Sequence, residues 1–164
     1  MSIATKISIQ KIWQLLEEVV DPEVPVLSVI DLGIIREVKI NENEVEIIIT
    51  PTYSGCPAMD MISMNIKLAL IEHGYTNVKI TSVLSPAWTT DWMSAEGRRK
   101  LEEYGIAPPS PRPADGPVPL SLSLRCPQCG SPDTRELSRF GSTACKSLWV
   151  CNACREPFDH FKSI

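Results

Sequence analysis

Four of the six cysteines in this 164-residue chain stand in two matched pairs. Cys126-x2-Cys129 and Cys151-x2-Cys154 are separated by 21 residues. C-x-x-C spacing lets both sulfurs of a pair turn toward one ion, and Gly130 permits a tight turn after the first pair. Two such knuckles offer four thiolates to one tetrahedral metal, with no open position for catalysis. This predicts structural Zn in a small ribbon that needs the metal to fold. The same ligands also suit an iron–sulfur cluster or a single iron.

Two cysteines lie outside that set. Cys145 precedes Cys151 by six residues and reads as a buried apolar side chain in the hairpin. The alternative is an auxiliary redox or metal-transfer thiol beside Lys146. Cys56 stands alone in the first half, in TPTYSGCP, before a helical pattern. A helix start favours the thiolate, and Gly55 leaves the sulfur accessible, so position alone leaves burial and chemistry both open. A Cys-His nucleophile is poorly supported. The only histidines are His73 and His160. His73 is about 25 Å further along the same predicted helix, and His160 belongs to the cysteine-rich module, where it reads as a solvated or packed side chain. No phosphate-binding glycine loop or dinucleotide fingerprint is present.

The elements that must position these residues follow from periodicity. Ile9, Ile12, Trp13, Leu16, Val19 and Val20 recur at helical spacing after Ser8, and Asp21-Pro22 ends that helix. IIREVKI and VEIIIT flank NENE as a hairpin. Pro57 opens a second helix and Gly74 follows its end. Within it, Ala58, Met61, Ile62, Asn65, Leu68 and Ala69 mark one face, read as core, with the methionines as gap-fillers. A third strand, NVKITSVL, leads to a last helix capped by Thr90 or Asp91 and ended by Gly105. The order helix, strand, strand, helix, strand, helix predicts an α+β two-layer domain over residues 1–105. Residues 106–121 hold six prolines and predict an extended spacer. Residues 122–164 form the ribbon module.

Charge counts against one class of function. Residues 1–105 carry nine Lys/Arg against fifteen Asp/Glu, and 122–164 six against four. Neither has the clustered basic face of a nucleic-acid binder. No apolar run reaches the roughly 18 residues of a membrane helix. The N-terminus lacks the order of a signal peptide, so a reducing cytoplasmic setting is expected. An exposed sheet edge in so small a domain leaves room for a homodimer.

The combination of DPEVPVLSVIDLGIIREV with TPTYSGCP resembles the iron–sulfur cluster assembly domain of SufT-type bacterial proteins and eukaryotic cluster-targeting factors. That resemblance covers roughly residues 8–84. SPAWTTDWMSAEGRRKLEEYGIAPP, the proline spacer and FGSTACKSLWVCNACREPFDHFK resemble the PaaD-type subunits of phenylacetyl-CoA epoxidase systems, which extends it over nearly the whole chain. The resemblance implies that Asp21, Glu23, Asp31, Thr52 and Cys56 gather around one surface pocket, a transient site for iron or an iron–sulfur cluster. For Asp21 and Asp31 the competing reading is capping and loop hydrogen bonding. It also implies protein partners: the oxygenase and reductase subunits and cluster-assembly factors. The chain lacks the helical Glu-x-x-His pairs of a diiron site. An accessory maturation protein, not an enzyme, is therefore expected, with a scaffold that binds subunits through its ribbon as the alternative.

Overall fold

The computed structural model describes residues 8–110 and 124–164 as two compact units, divided between Trp88 and Thr89. The architecture is α+β. Residues 111–121 of the expected spacer lie outside the described residues.

In the first unit, α1 (Ile9–Glu17) buries Ile12, Leu15 and Leu16. β1 (Ile35–Asn41) and β2 (Glu44–Ile49) form the expected antiparallel hairpin, and β3 (Val78–Ser82) adds to β2 in parallel, giving the order β1-β2-β3. Glu42, with φ 52°, makes the hairpin turn. An irregularity between Ile35 and Glu37 resets the alternation of β1, so Ile35 and Val38 are both buried. A strictly alternating strand would place them on opposite faces. The polar sheet positions carry a bridge from Lys79 to Glu46 (3.0 Å), and Glu46 also accepts from Thr81 Oγ1 (2.6 Å). Trp88 closes the unit: it is 3% exposed and its Nε1 donates to Leu32 O at 2.8 Å.

The helix α2 (Ala58–Glu72) corrects one expectation. Its buried face is Ala58, Ile62, Ile66 and Leu70, whereas Met61, Met64, Leu68 and Ile71 are exposed. The helix is apolar nearly all round, so its spacing alone admits several core faces.

A second correction concerns the domain boundary, expected at 105. Residues from Thr89 onward pack with the C-terminal unit because their backbone is bonded there. Thr90 N donates to Ile164 O (3.1 Å), and Arg98 donates to Thr90 O and Pro109 O, both at 2.7 Å. A 3-10 turn (Thr90–Trp92) capped by Thr89 precedes α3 (Ala95–Tyr104). The cap of α3 is Ser94, whose Oγ accepts from Gly97 N at 2.9 Å, rather than Thr90 or Asp91; Gly105 ends it with φ 90°. Ile106–Ala107, expected in the spacer, form β4 and pair in parallel with Asp159–His160. With β5 (Thr134–Ser138), β6 (Lys146–Cys151) and β7 (Pro157–Phe161) they make a sheet of order β4-β7-β6-β5. Among the described residues no helix is long and apolar enough to cross a membrane.

Candidate metal centre and the Cys56 loop

The two knuckles are built alike. Gly130 N donates to Cys126 O (2.8 Å), and Arg155 N to Cys151 O (3.0 Å). Cys126 N donates to Ser131 O (2.9 Å), and Cys151 N to Glu156 O (3.0 Å). Both turns need a left-handed residue: Gly130 at φ 75° and Arg155 at φ 68°. Gln128 N approaches Cys126 Sγ at 3.4 Å and Cys154 N approaches Cys151 Sγ at 3.5 Å. The knuckles are fixed to each other by Asn152, whose N donates to Asp133 O (2.9 Å) and whose Nδ2 donates to Asp133 Oδ1 (2.8 Å).

The sulfurs of Cys126, Cys129, Cys151 and Cys154 all lie within 4.8 Å of one another. Cys126 and Cys154 are 3.7 Å apart, and Cys129 and Cys151 are 3.6 Å apart. A tetrahedral ion at about 2.3 Å from four sulfurs spaces them about 3.8 Å apart, so the residues fit zinc. The Cys154 N–H holds the Cys151 thiol down, to about 7. Cys154 is pushed up to about 12: the Glu156 N–H acts downward, and burial with the three neighbouring sulfurs outweighs it. One negative charge forms readily and further ones are repelled, a conflict that a bound dication removes. Ala107, Cys126, Cys151 and Phe158 share a buried core, with Trp149 and Cys154 packed against it.

Cys145 and His160 stand outside this set. Cys145 is buried, its sulfur 3.0 Å from Thr143 Oγ1. The adjacent Lys146 turns its ammonium toward Asp159 (3.8 Å). His160 is buried, with Nδ1 3.3 Å from Ser147 Oγ and its ring edge-on to Trp149.

In the first unit, pairing of β1 with β2 sets the IDLG loop beside the chain that leads to Cys56, since Thr50 N donates to Ile34 O at 2.9 Å. Cys56 is half-buried and precedes α2, and Gly55 holds φ 82° with open space where a Cβ would stand. Thr52 and Glu23 are half-buried, Asp21 and Asp31 buried. Both aspartates are occupied by their own loops. Asp21 Oδ1 accepts from Glu23 N (2.8 Å) and Val24 N (2.7 Å). Asp31 Oδ2 accepts from Ser28 N (3.1 Å), while Ser28 Oγ accepts from Asp31 N (3.0 Å). These bonds follow the capping pattern that aspartate side chains favour in loops. Among the described residues the four ribbon cysteines are the one cluster of three or more such ligands close enough for a single ion, and Cys56, Asp21, Glu23 and Asp31 do not form a second.

The structure adds Thr50 to this region. It is 1% exposed at the end of β2, and its Oγ1 has no hydrogen-bond partner among the described residues. Its sequence context, the last residue of an apolar strand, gives no hint of that.

Comparison with known proteins bears on both units. Residues 9–81 match the family described as iron-sulfur cluster assembly protein, and residues 111–162 match the PaaD zinc beta ribbon domain. A protein of Escherichia coli (strain K12), provisionally named as a component of 1,2-phenylacetyl-CoA epoxidase, is 47% identical over 156 residues, covering 95% of this chain and 93% of its own. The chain belongs to the PaaD family of phenylacetyl-CoA epoxidase components. Its zinc ribbon is thus the PaaD ribbon, carrying the four-cysteine site. An Fe-S protein maturation auxiliary factor of Porphyromonas gingivalis is 35% identical over 94 residues, 56% of this chain and 89% of its own. The crystal structure of a domain of unknown function from Bacillus anthracis is similar at TM-score 0.52 and 28% identity, covering 56% of this chain and 89% of its own. PaaD-family architecture therefore joins an iron–sulfur assembly domain to a ribbon in one chain.

Proposed function

We propose that this protein is the accessory subunit of a phenylacetyl-CoA epoxidase system and assists maturation of its partners' iron–sulfur or other metal centres. The observation that carries this reading is the union, in one chain, of an iron–sulfur cluster assembly domain with the PaaD zinc ribbon. Iron or a cluster is cargo here, and Cys56 is its transient ligand. The half-buried sulfur on an open glycine turn supports that role, because incomplete ligation lets cargo leave. Thr52, Glu23, Asp21 and Asp31 are the candidate supporting groups, and the loop bonds of the two aspartates make them shapers of their own loops rather than ready ligands. Zinc bound by the four ribbon cysteines supplies folding energy without an open coordination position. The chain itself performs no catalysis in this reading; it acts on protein partners, the oxygenase and reductase subunits, in a reducing cytoplasm.

The test is reconstitution of the epoxidase system with wild-type protein or Cys56→Ala. The expected outcome is an intact, zinc-loaded variant that lowers metal occupancy of the partner subunits. Unchanged occupancy would remove Cys56 from the mechanism. A scaffold that binds subunits through the ribbon is the second reading, favoured by the absence of a clustered ligand set around Cys56 among the described residues. It predicts co-purification that survives Cys56→Ala and fails when Cys126 or Cys154 is replaced.

A further inference from the structure

Helix α2 carries a second apolar face that the first unit does not bury. Met61, Met64, Leu68 and Ile71 are 51%, 59%, 50% and 47% exposed, and exposed Pro57 continues the line toward the N-terminus. The stripe spans about 21 Å, room for a contiguous patch of a few hundred Å², the size of the largest patch a typical monomer exposes and often a functional one. Asp60 and Lys67 flank it on one side, both exposed and neither with a side-chain partner among the described residues.

We infer that this face pairs with the same face of a second copy of the chain, the two α2 helices running antiparallel about a two-fold axis at Met64. The stripe is self-complementary about that residue. Reversal sets Pro57 against the second copy's Ile71, Met61 against its Leu68, and Met64 against Met64. A two-fold contact requires such a self-matching patch. Antiparallel helices also bring like flanks together, so Asp60 of each copy meets Lys67 of the other, twice. A parallel pair would instead set Lys67 against Glu72 of the opposite flank and leave Asp60 beside Asn65. Charge complementarity therefore fits a second copy, and exchange of Asp60 and Lys67 decides the direction, because only the antiparallel pair is rescued by it. A stripe of this length on one helix is smaller than the roughly 1,200 Å² of a standard stable interface, so the dimer is weak and reversible. This inference is independent of the role of Cys56.

Sedimentation equilibrium on the zinc-loaded full chain, from low micromolar to near-millimolar concentration, tests it. The expected result is a monomer–dimer equilibrium that Met64→Lys and Leu68→Lys each weaken about tenfold or more, the equivalent of about 1.4 kcal/mol. Both positions are half-exposed or more, so circular dichroism should show unchanged folding. Asp60→Lys or Lys67→Asp alone should weaken the dimer several-fold, and the double exchange should restore it. Cys56→Ala should leave it unchanged. A wild type that stays monomeric, including one whose α2 face binds a different protein, overturns the inference, as does a dimer indifferent to Met64→Lys. Failure of the double exchange to rescue overturns the antiparallel pairing.

Discussion

Gly130 and Arg155 are the same position in two halves of one ribbon: each has a left-handed backbone, and each donates its N–H to the carbonyl of its knuckle's first cysteine. Only glycine adopts that conformation freely; other residues pay about 1–2 kcal/mol. A Cβ on Gly130 meets nothing within 4 Å, so Gly130→Ala is opposed by the backbone alone. It should lose about 1 kcal/mol of ribbon stability, while Arg155→Gly should gain up to about 1 kcal/mol, offset in part by glycine's unfolded-state freedom. Thermal unfolding of the zinc-loaded protein and the rate of zinc loss to a chelator should move in opposite directions for the two variants.

The four ribbon cysteines should behave as a unit. Replacing any one leaves three sulfurs and an open position, and a ribbon this small has little core to hold it otherwise. Cys151→Ser, at a fully buried ligand, should drop zinc from one ion per chain toward none. Chelation of the wild type should give the same loss of β signal. Cys56→Ala and Cys145→Ala should both retain one zinc per chain in elemental analysis, since neither belongs to the group.

The metal centre was legible because C-x-x-C encodes its geometry within four residues, whatever the rest of the chain does. Cap and stop residues such as Gly74 and Gly105 were legible for the same local reason. The core face of α2 was not: with Met61, Ile62, Met64, Ile66, Leu68, Leu70 and Ile71 all apolar, only the three-dimensional position of the sheet decides which are buried. Nor was the domain boundary, because β4 is two residues long and its place is fixed by pairing with residues more than fifty positions later. Arg155 carried no compositional signal; its backbone is set by the symmetry of the knuckles. Around Cys56 the motif located the loops, yet the bonds of Asp21 and Asp31 to their own backbones decide what those carboxylates do.

Thr50 offers a test of whether the Cys56 region is built for more than folding. A buried hydroxyl without a partner costs about 1–3 kcal/mol, so an isosteric apolar replacement should relieve it. Thr50→Val is expected to leave stability unchanged or raise it by about 1 kcal/mol. Denaturant unfolding measures that change. A loss of more than about 1 kcal/mol would show that the hydroxyl is satisfied in solution.

His160 should give the ribbon unit a pH dependence on the acid side. Burial, with Lys162 acting in the same direction, lowers its pKa to about 4 from an ordinary 6.5. The unfolded chain therefore binds a proton that the folded chain refuses between those values. The contribution is fully present above pH 6.5 and is lost as pH falls toward 4. Its ceiling is about 3 kcal/mol. Thiolate protonation acts in the same window by weakening zinc, so the comparison must be between wild type and His160→Gln under equal free zinc. Guanidinium unfolding at pH 7 and pH 5 should show a smaller drop for the variant, because only the wild type has a buried imidazole to charge. Equal drops in the two proteins would place the acid sensitivity in the cysteines alone.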